Sequence, residues 1–359
     1  MKGIWGDLRG VMDEEEIDRI ENLSEHPDIK QFPVKFTKYQ VEQLYKAPEL
    51  GKIFLPSELE IGGKGETDNN YGEMESRVPG LKGGQHKYSQ TLLLTVSGKC
   101  VAHCRYCFRR HTAKRKKEIL SYEDYPLAFE YVRKHPEITN VLLSGGDPLV
   151  MPRDMLEELL DGFSEIDSLR FIRIGSKVLV DNPDMIDGEL ADLLGKYSEK
   201  KKIYFVTQFN HPAEISEKTR DATCRLQERG VIILNQHPIL SRVNDNESII
   251  AELYNHLAGL GIQPYYAFHL MPVKGARHMQ TEIHETYRML ENAKREMPGP
   301  AKSFKYILPT PSGKLEVLGF DRTESPRQIF LKYHEAKDRE KTGELIVLPY
   351  ERGTKWLDV

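Results

Sequence analysis

The chain reads as an α/β protein built on a parallel sheet, either a barrel or an incomplete one. Three observations predict this. Short apolar runs recur six times from Thr91 onward, amphipathic segments of helical period lie between them, and polar or Gly-rich residues gather at the C-terminal end of each run. Strand and helix in alternation is the pattern of βαβ units. Six of them suit a barrel better than a small open sheet.

Taken in order, residues 1 to about 50 read as short polar helices, the clearest being DEEEIDRIENL (13–23). Residues 56–87 are rich in Gly, Glu and Asn and read as a long connecting segment. Segments of that length are usually functional or wrapped against a neighbour. The predicted strands follow as TLLLTV (91–96), NVLLSGG (140–146), RFIRIGS (170–176), IYFVTQFNH (203–211), VIILNQHPI (231–239) and PYYAFHLMP (264–272). Between them, YPLAFEYVRKH, PRDMLEELLDGFSEI, DGELADLLGKYSEK, EISEKTRDATCRLQERG and SIIAELYNHLAGLG carry helical patterns. The tail from about 320 reads as a helix followed by a short strand pair, a cover for the barrel mouth or for a partner chain. The expected division is 1–87 (helical and wrapping), 88–280 (barrel) and 281–359 (C-terminal segment).

In a parallel βα barrel the rim at the strands' C-terminal ends is where sites are built. Here that rim carries Ser97 and Gly98, Gly145 to Asp147, Gly175 and Ser176, Asn210 and His211, Asn235 and Gln236, and His269.

Composition narrows the class. Hydrophobic residues at 39% and charged residues at 30% fit a folded soluble protein. A net charge of −4 argues against a protein that grips nucleic acid through its phosphates. No apolar run approaches the ~18 residues of a membrane span, and the acidic N-terminus lacks the apolar core of a secretory signal. Four cysteines in 359 residues make no disulfide framework, so a reducing cytoplasm is expected.

Three of those cysteines, Cys100, Cys104 and Cys107, stand within CVAHCRYCFRR. Thiolates at such spacing converge only if the loop curls around a common centre. Structural zinc would require a fourth Cys or His with its own local partner. Cys224 lies alone in a helical pattern, while His103 sits inside the curl and His111 follows the arginines. A cluster held by three cysteines is the stronger reading. A [4Fe–4S] cube bound this way leaves one iron without a protein ligand, free to chelate a small molecule.

CxxxCxxC after the first barrel strand, with an aromatic before the last Cys, resembles the radical S-adenosylmethionine (SAM) enzymes, which implies a (β/α)6 partial TIM barrel. LLSGGDPL resembles that family's Gly-Gly-acid element, so Gly145, Gly146 and Asp147 are expected at SAM. Further stretches, VPGLKGGQHKYSQTLLLTVSGKCVAHCRYCFRRH, RIGSK, FNHPAEI, NQHPILSRVND and PYYAFHLMPVKGARH, are similar to the lysine 2,3-aminomutase family over residues 50–320. That family includes relatives acting on elongation factor P and on glutamate. The resemblance implies a second cofactor, pyridoxal phosphate (PLP), and migration of an amino group from Cα to Cβ. It places Arg109 on the substrate carboxylate, Ser176, Asn210, His211 and Gln236 near SAM, and Lys314 on PLP. An amino acid or amino-acyl substrate, a flavodoxin- or ferredoxin-type electron donor and a homo-oligomer are the expected partners.

Departures from the family also inform. The two aspartates that hold a lysine substrate's distant ammonium have no counterpart, since Met271 stands at one place and YILPTPSGK carries no acid. An unpaired buried cation is prohibitively costly, so free lysine is a poor substrate for this chain. A PLP-contacting arginine is replaced by Thr91, and the glycine run before the lysine is reduced to Gly313. Lys274, His269 and Arg277 are candidates to face an anionic or polar substrate group. Two rivals remain: a PLP-independent radical SAM enzyme, possible modifier of a protein or RNA, and a zinc-bound interaction protein.

Overall fold

The computed structural model describes residues 5–62, 71–110, 118–321 and 327–359. All six predicted strands form, and among the described residues they belong to one open sheet of eleven strands in sequential order. After β1 (Gly84–Tyr88) comes the parallel series β2 (Thr91–Ser97), β3 (Asn140–Gly145), β4 (Phe171–Gly175), β5 (Lys202–Thr207), β6 (Ile232–Ile239) and β7 (Gln263–His269). The series gains a seventh member, β8 (Lys305–Pro309), which pairs parallel to β7. The chain then turns back through β9 (Gly313–Phe320), β10 (Gln328–Ala336) and β11 (Leu345–Pro349), all antiparallel. The partial barrel is therefore open, with an antiparallel strand before it and a meander after it.

The tail corrects one expectation. QIFLKYHEA, read as helix, is β10. Over its first six residues the buried ones are Ile329, Leu331 and Tyr333, every second one, which is the period of a half-buried strand.

Helices form where the pattern predicts them. The N-terminal α1 (Glu14–Ser24) is capped by Asp13, whose carboxylate accepts from the Glu16 amide at 2.8 Å. Next comes α2 (Lys38–Leu44), opened by a reciprocal capping box between Thr37 and Gln40. The crossover helices are α3 (Tyr125–Lys134), α4 (Arg153–Ser164), α5 (Gly188–Lys200), α6 (Glu217–Gln227) and α7 (Glu247–Gly259), followed by α8 (Ile283–Ala293). They cover strand residues such as Ile172, Ile174 and Phe205, each wholly buried. Among the described residues no helix is long and apolar enough to cross a membrane.

A second apolar cluster lies away from this main core. Leu44, Ile53 and Phe54 of the N-terminal segment meet Tyr106 of the cysteine loop and Leu270 and Met271 after β7. Hydrogen bonds reinforce the contact: the His103 amide donates to Lys35 O (2.8 Å) and the Arg105 amide to Ile53 O (2.6 Å). The N-terminal segment, from Lys35 to Phe54, thus clamps the loop that carries the thiols.

Candidate active site

The cysteine loop is held by charge as well as by apolar contact. Glu60, drawn from the Gly-rich connecting segment, accepts from Arg105 Nη2 at 2.6 Å and from Arg110 Nη2 at 2.7 Å. All three side chains are 1–2% exposed. Arg105 Nη1 also donates to Phe32 O, and Lys35 Nζ to Cys100 O, both at 2.6 Å. Opposing guanidiniums outweigh the cost of burial and hold the Glu60 carboxyl below its usual range.

The three thiols lie on this loop, partly buried. Burial above all pushes the three upward, Cys104 to about 12. A cationic centre bound among them would draw them to thiolates, because a metal-coordinating thiol loses its proton. The donor set fits an iron–sulfur cluster. Cys224 is exposed on α6 and takes no part. His111 and most of the basic run 109–118 lie outside the described residues.

Gly145 and Gly146 serve the cysteine loop directly. A Cβ on either would sit 2.4 Å from a carbonyl oxygen, Ser97 O for Gly145 and Lys99 O for Gly146. Gly145 also has φ +124°, a region that side-chain-bearing residues avoid. The amides of Gly146 and Asp147 donate to those same carbonyls at 2.7 Å.

Asp147 is buried, and its carboxylate is already engaged. It accepts from Ser176 Oγ at 2.8 and 3.0 Å, from the Leu149 amide at 3.0 Å and from the Lys177 amide at 2.8 Å. Burial raises its pKa to about 6, against the pull of those donors. Asp147 and Ser176 therefore tie the loop after β3 to the loop after β4. Beside them Lys177, which the sequence reading missed, pairs with Asp181 (2.5 Å) and Glu214 (3.4 Å).

Asn210 is also buried, and its Nδ2 donates to Tyr106 OH at 3.3 Å, which links β5's end to the cysteine loop. His211 differs in having an unsatisfied atom. Its Nδ1 accepts from the Ala213 amide at 3.1 Å, which leaves the proton on Nε2. That Nε2 is buried and makes no well-angled hydrogen bond among the described residues, although Glu49 Oε1 lies 3.2 Å away. A buried donor without a well-angled acceptor suits a bound polar ligand. Gln236 is partly exposed between the wholly buried Asn235 and His237, on the other face of β6 from them.

Arg109 is buried, and Glu73 engages two of its nitrogens: Nε and Nη2 both lie 2.9 Å from Glu73 Oε1. Its Nη1 donates to Ser144 Oγ at 3.0 Å. A carboxylate thus already occupies this arginine's fork. Glu73, like Glu60, comes from the connecting segment and carries no motif that marks it.

Lys314 does not sit in a surface turn. It is the second residue of β9, largely buried at 12% side-chain exposure, with Nζ bonded to Glu335 of β10 and 4.9 and 5.3 Å from the ring centres of Tyr88 and Tyr266. Burial favours loss of its proton, but Tyr71 and Glu335 outweigh burial and hold its pKa above the ordinary lysine range. A second buried amine adjoins it. Lys87 Nζ donates to Thr310 O (2.7 Å) and Tyr71 O (2.9 Å). Burial first, then Lys314 and Lys337, bring its pKa down to about 7, while Glu73 and Glu335 pull the other way. Nothing in QHKYSQ marks Lys87 in advance, since its neighbour is more than two hundred residues away in sequence.

The lowered Lys87 pKa carries a prediction. In the unfolded chain this amine binds its proton more tightly, so its burden on the fold is full below pH 7 and lifts as pH rises toward 10. The stability of Lys87→Met relative to the parent should therefore fall between pH 7 and 10, by up to about 1.4 kcal/mol per pH unit. Parallel thermal or urea unfolding series measure it. A pH-independent difference would show that Lys87 stays charged.

Other candidates are placed elsewhere. Both ring nitrogens of His269 are engaged, by Tyr306 OH and Lys355 O at 2.7 Å, so it does not face a substrate. Arg277 is exposed. Met271 is buried in the second apolar cluster.

Comparison with known proteins adds the following. The Radical SAM superfamily model matches residues 94–247. A protein of Aquifex aeolicus, provisionally named L-lysine 2,3-aminomutase, is 36% identical over 86% of this chain and 81% of its own length. The L-lysine 2,3-aminomutase of Clostridium subterminale is 32% identical over 72% of this chain and 60% of its own. The glutamate 2,3-aminomutase of Clostridioides difficile is 29% identical over 73% of this chain and 60% of its own.

Proposed function

The chain belongs to the lysine 2,3-aminomutase family of radical SAM enzymes, and from that premise we propose that it moves an amino group between C2 and C3 of an amino acid or amino-acyl group whose side chain is not a simple cation. In this reading Cys100, Cys104 and Cys107 hold the [4Fe–4S] cluster. SAM lies against Gly145, Gly146, Ser176, Asn210, His211 and Gln236, with Asp147 fixing the loop. Lys314 carries PLP. Bound there, these groups would supply a carbon-centred radical that takes hydrogen from the substrate and a π system that spreads the unpaired electron. The protein's own part is positioning. Arg109 orients the substrate carboxylate once Glu73 yields its place, and Glu335 holds the Lys314 amine in position while keeping it charged until the cofactor arrives. A reducing cytoplasm, which keeps thiols reduced and holds electron donors, is the setting this reading expects.

The observation that carries the substrate class is Met271. Where a lysine-directed enzyme needs a counter-charge, this chain has a methionine buried among apolar side chains, and a cation there would stay unpaired. The test of the cofactor is direct. Purified protein given PLP should show a near-visible absorption band that borohydride fixes to Lys314, and Lys314→Ala should abolish it. Fixation to Lys87 would move the attachment point. Absence of any band would favour the PLP-independent reading.

A further inference from the structure

Arg173, in β4, alternates with Ile172 and Ile174 and so points away from the helices that bury them. Its Nη2 lies 3.3 Å from Thr91 Oγ1 at the start of β2. Its Nε is buried and has no hydrogen-bond partner among the described residues. A guanidinium keeps its proton under all ordinary conditions, so this N–H is a buried donor awaiting an acceptor.

The surroundings indicate what kind. Arg173 and Lys314 act on the same carboxylate: Lys314 first, then Arg173, help hold Glu335 below its usual range against burial. Tyr266, whose ring centre is 5.3 Å from Lys314 Nζ, also lies within Arg173's field. Lys87 adjoins Lys314. Three basic side chains thus share one partly buried region, and the acid there, Glu335, is already bonded to Lys314. Glu73, the other acid in Lys87's field, is bonded to Arg109. Buried positive charge in excess is stabilised by an anion, and a forked guanidinium donor suits a phosphate.

We propose that Arg173 is the phosphate-binding residue of the PLP site, donating through Nε to a phosphate oxygen while Lys314 engages the carbonyl end. This rests on the PLP reading above and adds to it a recognition element on β4.

The test titrates cofactor-free protein with PLP and with pyridoxal, which lacks the phosphate. Binding is followed by the near-visible band and by borohydride fixation. The parent should prefer PLP, and inorganic phosphate should compete with PLP but not with pyridoxal. Arg173→Gln should weaken PLP by about ten- to a hundredfold, the weight of a charge-assisted hydrogen bond, and leave pyridoxal unchanged. Arg173→Lys, which keeps the charge but loses the fork, should fall between and serves if the glutamine variant folds poorly. If the parent binds PLP and both variants keep its full preference over pyridoxal, the Arg173 assignment is overturned and the PLP reading stands. If the parent fixes neither compound, both are overturned.

Discussion

Cys107→Ser leaves a folded protein that has lost its iron chromophore and its SAM cleavage. Cys107 is a partly buried loop residue whose backbone bonds, an amide to Cys104 O (3.0 Å) and a carbonyl from the Arg110 amide (3.1 Å), do not involve the thiol. Stability of the metal-free variant should stay within about 0.5 kcal/mol of the parent. Activity should behave differently. Three thiolates that bind one cluster act as a unit, and deoxyadenosine formation should fall by more than about a thousandfold. Cys104→Ser and Cys100→Ser should do the same. Cys224→Ser, on the exposed face of α6, should change neither iron content nor turnover. Anaerobic reconstitution with iron and sulfide, followed by iron analysis and product chromatography, measures both. A Cys107→Ser protein that still binds four irons per chain and cleaves SAM would remove the cluster from this loop.

The largest effect on stability is expected at Glu60. Glu60→Gln keeps the shape of the side chain and removes the charge, which leaves Arg105 and Arg110 buried against each other. Breaking a buried ion pair from one side typically costs about 3–5 kcal/mol, and this carboxylate serves two guanidiniums. The damage should not stay local, because the same residues fasten the N-terminal segment to the cysteine loop. Urea unfolding should show the loss, and a chelator should strip iron from the reconstituted variant faster than from the parent. The sign of the pH effect follows from the depressed Glu60 pKa. The parent's advantage over Glu60→Gln is full above the ordinary glutamate pKa and is lost as pH falls through the folded value. A variant as stable as the parent at neutral pH would show that the triad contributes nothing.

How much was legible in the sequence follows from the reach of each signal. The parallel strands could be read because short apolar runs recur with helices between them. The thiol triplet could be read because its partners lie within eight residues. Strand β10 was misread as a helix because Lys332, His334 and Glu335 interrupt its apolar residues, which resembles an amphipathic helix until burial shows the alternation. Strands β8 and β9 went unseen as strands because β8 is short and ends in Pro309, and β9 carries Gly313 and Gly319, residues that mark breaks in a strand pattern. Charges paired over distance left no trace at all. Glu60 meets Arg105 across 45 residues, Glu73 meets Arg109 across 36, and Lys314 meets Glu335 across 21. The glycines of the GGD element were expected at the site, but their packing reason, clearance for the cysteine loop, needed coordinates.

The central claim is amino migration on a substrate without a simple cationic side chain. It is tested most directly by incubating the reconstituted enzyme without air with SAM, a reductant, PLP and amino acids labelled with nitrogen-15, lysine and glutamate among them. The expected result is labelled nitrogen transferred from C2 to C3 of a non-cationic amino acid, together with deoxyadenosine, and with free lysine a poor substrate. Efficient conversion of free lysine, or deoxyadenosine released while the label stays on C2 of every amino acid supplied, would contradict it.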